Sequence, residues 1–208
     1  MEFLANMNVL AYLVAYLIGA IPFGLVLAKL YAGVDIKSEG SKSIGATNVL
    51  RVVKQKDPKL AKKLGAATLA LDALKGMVVL LVAMGIGYDD SVLWGMALFS
   101  VLGHCYSPYL GFEGGKGVAT GVGVIAVLLP VEAVIGLLVW FGMAKFLKIS
   151  SVASLSGLIA AVVASFFIHP GLGDVNSQIP LILIAFLIFY KHIPNIVRLI
   201  KGEEKAAI

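Results

Sequence analysis

Long apolar runs separated by short polar stretches make up most of the chain, and this pattern predicts a bundle of helices. The runs lack the strict alternation of a half-buried strand. The longer ones reach the ~20 residues that a helix needs to cross the hydrocarbon core of a bilayer. We therefore predict seven membrane-spanning helices. They cover about residues 4–31, 64–87, 91–110, 116–130, 131–147, 151–168 and 178–191.

The composition of the chain supports this assignment. Of its 208 residues, 60% are hydrophobic and only 14% are charged. A soluble domain is nearer to about half apolar and about a quarter charged. The N-terminal residues lack the basic region of a cleaved signal peptide, so we expect the first apolar segment to be retained. The prediction is an all-α polytopic membrane protein with a single domain over residues 1–208.

The distribution of charge predicts how the helices cross the membrane. With seven spans, the loops on one side and the C-terminal tail hold the Lys and Arg residues, whereas the loops on the other side hold none. Basic loops mark the cytoplasmic side, which places the N-terminus outside and the C-terminus in the cytoplasm. Merging the fourth and fifth segments at Pro130 would move Lys145 and Lys148 outside and break this pattern.

The polar stretch between the third and fourth segments is rich in glycine and predicts a phosphate-binding loop. Gly114, Gly115 and Gly117 surround Lys116. Glycine tolerates positive φ angles and close approach to a ligand, and the N–H groups at the start of the next helix favour an anion. Lys116 adds a positive charge at the same place.

Two other interpretations of this loop stay open. A Walker A loop requires Gly six residues before the lysine and Ser or Thr after it. Leu110 and Gly117 occupy those positions, which disfavours nucleotide hydrolysis. The glycines could instead serve only a tight turn between helices, with Lys116 marking the membrane boundary.

Three further polar clusters are predicted on the same side of the membrane. The first loop contains small polar side chains followed by an arginine, which suits a phosphate ester because a guanidinium binds two oxygens at once. Helix caps and turns are the alternative explanation for such residues. The residues in these clusters are Ser41, Thr47, Asn48 and Arg51, then Ser151 and Ser154, then His192 and Asn195.

Asp72 and Lys75 lie inside the second apolar segment, where charged groups are costly. Their i,i+3 spacing places both side chains on one helix face, so we expect an internal ion pair.

Together these clusters resemble the bacterial glycerol-3-phosphate acyltransferases that use acyl-phosphate, the PlsY family. Three runs carry the resemblance, at residues 40–51, 103–120 and 192–204. In one departure, Lys42 and Ser43 follow Gly40 and Ser41, where the family usually reads Gly-Ser-Gly-Asn. This leaves the role of Ser43 open.

The resemblance implies transfer of a fatty acyl group from acyl-phosphate to the 1-hydroxyl of glycerol 3-phosphate, the first step of phospholipid synthesis in the bacterial inner membrane. It implies an active site that faces the cytoplasm. The implied catalytic residues are Lys116, Arg51, His192, Asn195 and Ser154. The implied substrate-binding residues are Ser41, Thr47, Asn48, His104, Gly114, Gly115, Gly117 and Ser151.

The resemblance also implies the partners of the protein. We expect glycerol 3-phosphate, acyl-phosphate and membrane lipids to bind, and we expect no nucleic acid, metal or cofactor. We expect a monomer. The proton acceptor stays open between His104, His192 and a substrate phosphate oxygen, of which we favour the last.

Other classes of protein remain as alternatives. A carrier for organic phosphates would be expected to show paired inverted repeats. A CDP-alcohol transferase would need an acidic cluster for its metals. His169 and Asp174 match the His-x4-Asp pattern of another acyltransferase class, but they lie in a predicted external loop beside Pro170, which favours a turn.

Overall fold

The computed structural model describes residues 6–204, and most of this part of the chain is helical. Within it the only β-type pairing is an isolated bridge between Ser107 and Glu113. The prediction of a helical fold is confirmed. The α-helices, numbered in chain order, are α1 Met7–Gly19, α2 Phe23–Leu27, α3 Ala46–Val53, α4 Pro58–Gly85, α5 Asp90–Cys105, α6 Val118–Leu128, α7 Pro130–Leu147, α8 Ser150–Ile168, α9 Ile179–Lys191 and α10 Ile193–Ile200.

Each of the seven predicted segments contains a helix, but fewer helices have the length of a full span. Four helical segments are long and apolar enough to cross a membrane: Met7–Ala32, α4, α7 and α8. A fifth is added if α9 and α10, which meet at a bend of 52°, count as one. At about 1.5 Å per residue, α6 is only about 16 Å long, roughly half of a bilayer core.

Local sequence signals explain where the helices begin and break. The carboxylate of Asp57 accepts hydrogen bonds from the N–H groups of Lys59 and Leu60, at 2.8 and 3.0 Å, and Pro58 starts α4. The helix therefore begins six residues before the predicted segment. A break at Leu129 separates α6 from α7, as predicted.

Glycines allow the helices to pack at short distance. Gly123 of α6 lies against the backbone of Ala73 in α4, and Gly103 of α5 lies against the backbone of Tyr16 in α1. Gly136 and Gly157 bring α7 and α8 together. Van der Waals contact between close backbones is a main source of helix association in lipid, where apolar burial drives it little.

Two apolar clusters fix the position of the polar end of the bundle. The larger one joins α1, α4, α5, α6 and α9, with Leu80, Val101 and Ile184 at its centre. The smaller one packs α3 and the loop at 33–45 against the first turns of α4, through residues such as Ile36 and Val49. The loop is therefore held against the end of the bundle where α6 and α8 begin.

The close contact at Gly123 is testable by adding one methyl group. The Cβ of Gly123→Ala would overlap the carbonyl oxygen of Ala73, so we expect a loss of about 2 kcal/mol in stability and a lower Tm in detergent. Gly142→Ala in α7 is the control, because its Cβ meets open space and alanine favours helix. Equal Tm values for the two variants would contradict this packing.

Candidate active site

A cavity of about 880 Å³ opens at the end of the bundle where α6 and α8 begin and α9 ends. It gathers residues that are far apart in the sequence, including eleven of the thirteen candidate site residues named above. These are Ser41, Thr47, Asn48, Arg51, His104, Lys116, Gly117, Ser151, Ser154, His192 and Asn195. Gly114 and Gly115 lie outside it and line a second, smaller cavity.

The main cavity contains positive charge without direct partners. Lys116 precedes α6, and neither it nor Arg51 takes part in an ion pair among residues 6–204. Burial lowers the pKa of Lys116 to about 8; Glu204 opposes this shift, and the nearby charges of Arg198 and Arg51 add to it. A half-buried, unpaired cation beside other cations is an anion-binding arrangement.

Glu204 is one of three acidic residues that line the cavity, with Glu203 and Asp72, and the sequence analysis did not name it as a site residue. Its carboxylate accepts hydrogen bonds from Asn195 Nδ2 at 2.6 Å, Arg198 Nε at 2.7 Å and Ser151 Oγ at 2.9 Å. Burial raises the pKa of Glu204, but these hydrogen bonds outweigh it and hold the pKa below its ordinary value. The sequence signal that could have identified Glu204 as a site residue is its position in the run at residues 192–204 that carries the family resemblance.

Two side chains at the junction of α9 and α10 offer acceptors to the cavity. His192 Nδ1 lies 2.8 Å from the carbonyl oxygen of Ile188, so Nδ1 donates and Nε2 keeps its lone pair. Burial lowers the pKa of His192 to about 4, although the bond to Ile188 opposes the shift. Asn195 Oδ1 is buried with no hydrogen-bond partner among the described residues. Both atoms suit a hydroxyl donor.

The predicted ion pair between Asp72 and Lys75 is present and continues to a histidine. Lys75 Nζ lies 2.8 Å from Asp72 Oδ1, 2.9 Å from the carbonyl oxygen of Ile21 and 2.9 Å from His104 Nδ1. An ammonium only donates, so its three protons go to these three acceptors. His104 therefore carries its own proton on Nε2, on the ring edge that faces Gly115.

Comparison with known proteins decides the family of this chain. The sequence model of the glycerol-3-phosphate acyltransferases matches residues 9–202. The chain belongs to this family. A glycerol-3-phosphate acyltransferase of Aliarcobacter butzleri is 66% identical over the full length of both chains. One of Sulfurimonas denitrificans is 62% identical, also over the full length of both.

Solved structures of the same family share the fold. The glycerol 3-phosphate form of PlsY, an integral membrane glycerol 3-phosphate acyltransferase, matches with a TM-score of 0.83 and 38% identity, over 97% of this chain and 96% of that one. The lysophosphatidic acid form matches with a TM-score of 0.82 and 37% identity, over 97% and 95%. The chain is thus a multi-pass integral membrane protein and an acyltransferase.

In this acyltransferase the glycine-rich loop differs from the sequence prediction in two respects. Among its three predicted glycines only Gly117 has a positive φ, of 81°. Gly114 and Gly115 are instead required because a Cβ would overlap the carbonyl oxygen and the imidazole of His104. The N–H of Gly115 donates to the His104 carbonyl oxygen at 3.0 Å, so this N–H is used within the protein and is not available to an anion.

Asn48 shapes the first loop of the acyltransferase. Its Nδ2 donates to the carbonyl oxygens of Ile36, Glu39 and Ser43, at 2.8, 3.2 and 2.8 Å. Its Oδ1 accepts from the N–H of Ser41 at 2.8 Å. Because its donors are used within the loop, we assign Asn48 to holding the loop rather than to contacting substrate.

The His-x4-Asp match lies at the opposite end of the bundle from the cavity. His169 Nδ1 is 2.6 Å from Glu132 Oε1, whereas the N–H of Asp174 donates to Asp90 Oδ2 at 3.4 Å. Among the described residues that line the two cavities, neither His169 nor Asp174 is found.

The Asp72–Lys75–His104 contacts are testable by comparing a single and a double variant. Lys75→Met leaves the Asp72 carboxylate buried without a partner, and we expect a loss of about 3 kcal/mol in stability. Asp72→Asn/Lys75→Met should recover most of the Tm. Acyltransferase activity should stay about tenfold low in both variants, because His104 loses the donor that orients it.

Full recovery of both Tm and activity in the double variant would show that Lys75 does not position His104.

Proposed function

We propose that this protein transfers a fatty acyl group from acyl-phosphate to the 1-hydroxyl of glycerol 3-phosphate, giving lysophosphatidic acid and inorganic phosphate. The observation that carries the proposal is the pair of unpaired cations, Lys116 and Arg51, in one cavity. Both substrates carry a phosphate, and the reaction requires the two phosphates to lie close together. The two relatives named above are called glycerol-3-phosphate acyltransferases, which supports glycerol 3-phosphate as the acyl acceptor.

The apolar part of the same cavity supports an acyl donor. Beyond the polar residues it continues between α4, α6, α7 and α8, where Ala73, Ile125 and Trp140 line it. Along α8 the lining runs from Ser154 to Ala161, which is about 10 Å at 1.5 Å per residue. Two lining residues at its edge, Leu69 and Leu137, are 49% and 44% exposed. An acyl chain can therefore enter from the lipid.

The chemistry needs positioning and charge more than a protein nucleophile. The glycerol oxygen attacks the acyl carbonyl carbon, a new C–O ester bond forms, and the C–O bond of the mixed anhydride breaks. The departing phosphate keeps the bonding electron pair. Lys116 and Arg51 stabilise the phosphate charges during this step, and holding the glycerol oxygen against the carbonyl carbon supplies much of the remaining rate. Cys105 is buried and has no role in this step.

The acceptors in the cavity orient the glycerol phosphate. Asn195 Oδ1 and His192 Nε2 accept hydrogen bonds from its hydroxyl groups, with Ser154 and Ser41 beside them. A pKa of about 4 makes His192 a weak base at neutral pH. The proton of the attacking hydroxyl therefore goes to an oxygen of the departing phosphate.

We also propose seven membrane crossings in the bacterial inner membrane, with the N-terminus outside and the C-terminus and active site in the cytoplasm. Apart from Lys75, the Lys and Arg residues within 6–204 lie near the helix ends that surround the main cavity, which supports this orientation. The short helices α6 and α9 would cross with the help of their flanking loops. We also propose that the protein is a monomer.

A purified preparation in detergent should make lysophosphatidic acid from acyl-phosphate and glycerol 3-phosphate without nucleotide, metal or acyl-carrier protein. Lys116→Ala should lower kcat/KM by at least about 100-fold, because the cation at the developing phosphate charge is lost. His169→Ala is the matched control. It removes the partner of the buried Glu132 carboxylate and should lower stability, but the folded protein should retain kcat/KM within about twofold, since His169 lies away from the cavity.

Loss of activity in His169→Ala equal to that in Lys116→Ala would reverse the assignment of the site. Uptake of glycerol 3-phosphate into liposomes without acylation would favour a carrier.

The pH dependence follows from the state of Lys116. Its cation is needed, and its pKa is about 8, so kcat/KM should fall by about tenfold per pH unit once the pH exceeds that value. Rate measurements between pH 7 and 10 check this. Lys116→Arg keeps its charge throughout this range, so its kcat/KM should not fall with rising pH, whatever its maximal rate. A rate that is independent of pH up to 10 in the unaltered protein would contradict the role of Lys116.

A further inference from the structure

A second cavity of about 490 Å³ lies on the other side of the glycine-rich loop. Its walls come from the loop at 41–43, the loop at 114–116 and the junction of α9 and α10. Four cations line it: Lys42, Lys116, Lys191 and Arg198. None of the described residues that line it is acidic.

Lys191 is held at this cavity by an aromatic ring. Its Nζ lies 4.5 Å from the centre of the Tyr106 ring, within the range of a cation–π contact. The Tyr16 hydroxyl donates to the backbone carbonyl oxygen of Tyr106 at 2.6 Å, which holds the backbone of Tyr106 in place. The ion pairs among residues 6–204 do not include Lys191. Its charge is therefore positioned but not neutralised by a carboxylate.

The two cavities adjoin at the most polar part of the site. Six lining residues are common to both: Ser41, Lys42, Ser43, Lys116, Asn195 and Arg198. The larger cavity extends between apolar helices towards lipid, whereas nine of the thirteen residues that line the smaller one are charged, polar or glycine. The site thus has one apolar approach and one cationic approach.

We propose that the smaller cavity is an anion-binding vestibule through which a water-soluble phosphate monoester, glycerol 3-phosphate, reaches Lys116, with Lys191 as its first point of attraction. This inference rests on the proposed function. Acyl-phosphate is amphiphilic and uses the approach from lipid, so the two substrates do not compete for one entrance. A cleft lined by one sign of charge raises the local concentration of an oppositely charged substrate.

A vestibule residue affects capture of one substrate and leaves the chemical step unchanged. Lys191→Gln should raise the KM for glycerol 3-phosphate by about fivefold and weaken the salt dependence of kcat/KM. The kcat and the KM for acyl-phosphate should stay within about twofold. Lys201→Gln is the matched control, because Lys201 is exposed at the end of α10 and lines neither cavity.

An unchanged KM for glycerol 3-phosphate in Lys191→Gln, or an equal increase in Lys201→Gln, would overturn the vestibule. An equal increase in the KM for acyl-phosphate would overturn it as well, because it would place Lys191 on a path common to both substrates.

Charge introduced inside the cavity gives a second test in the full-length protein. Tyr190 lines the smaller cavity and is 51% exposed, whereas the natural Cys105 is buried, so Tyr190→Cys offers one reactive thiol. An anionic sulfonatoethyl thiosulfonate adduct should raise the KM for glycerol 3-phosphate more than a cationic trimethylammonium adduct of similar size. Equal effects of the two adducts would overturn the proposal.

The failure of this inference is distinct from failure of the proposed function. If the unaltered protein acylates glycerol 3-phosphate but these variants show no selective change in its KM, the vestibule is wrong and the proposed function stands. If the unaltered protein makes no lysophosphatidic acid, both are wrong.

Discussion

Repulsion between neighbouring cations at the edge of an apolar bundle is the constraint on which this site depends. Burial is the main cause that lowers the pKa of Lys116, and the nearby charges of Arg198 and Arg51 lower it further. Glu204 supplies one negative charge and is itself held by three hydrogen bonds. The site is therefore left with a net positive charge that bound phosphates would neutralise. Such a site binds two anions more readily than a site with no net charge, because the bound anions attract the cations that otherwise repel one another.

The fold provides the rigidity that keeps these cations together. Glycine contacts such as Gly123 against Ala73 bring helix backbones close and fix where α6 begins. Asn48 holds the first loop by four hydrogen bonds, and Lys75 orients His104 beside the glycine-rich loop. Contacts within the protein therefore hold the charged side chains in place before substrate binds, which is the condition for electrostatic preorganisation.

Much of this arrangement was predictable from sequence because hydrophobic runs and charge asymmetry are local or additive signals. The helical class, the separation of α6 from α7 and the Asp72–Lys75 pair came from such signals. The bounds of α6 did not, since the predicted segment 116–130 included Lys116 and Gly117 of the preceding loop and the break at Leu129. The contacts of Glu204 depend on how the chain turns after α10, and no periodicity encodes that turn. The bond between Gly115 N–H and the His104 carbonyl is likewise a tertiary feature.

The most direct test of the central claim is a crystal structure with glycerol 3-phosphate and a non-hydrolysable acyl-phosphonate bound together. We expect the phosphate and phosphonate groups in the larger cavity, with oxygens about 2.9 Å from Lys116 Nζ and the Arg51 guanidinium. We expect the acyl chain to lie between α4 and α7. Phosphate and phosphonate groups bound away from Lys116 and Arg51 would contradict the account.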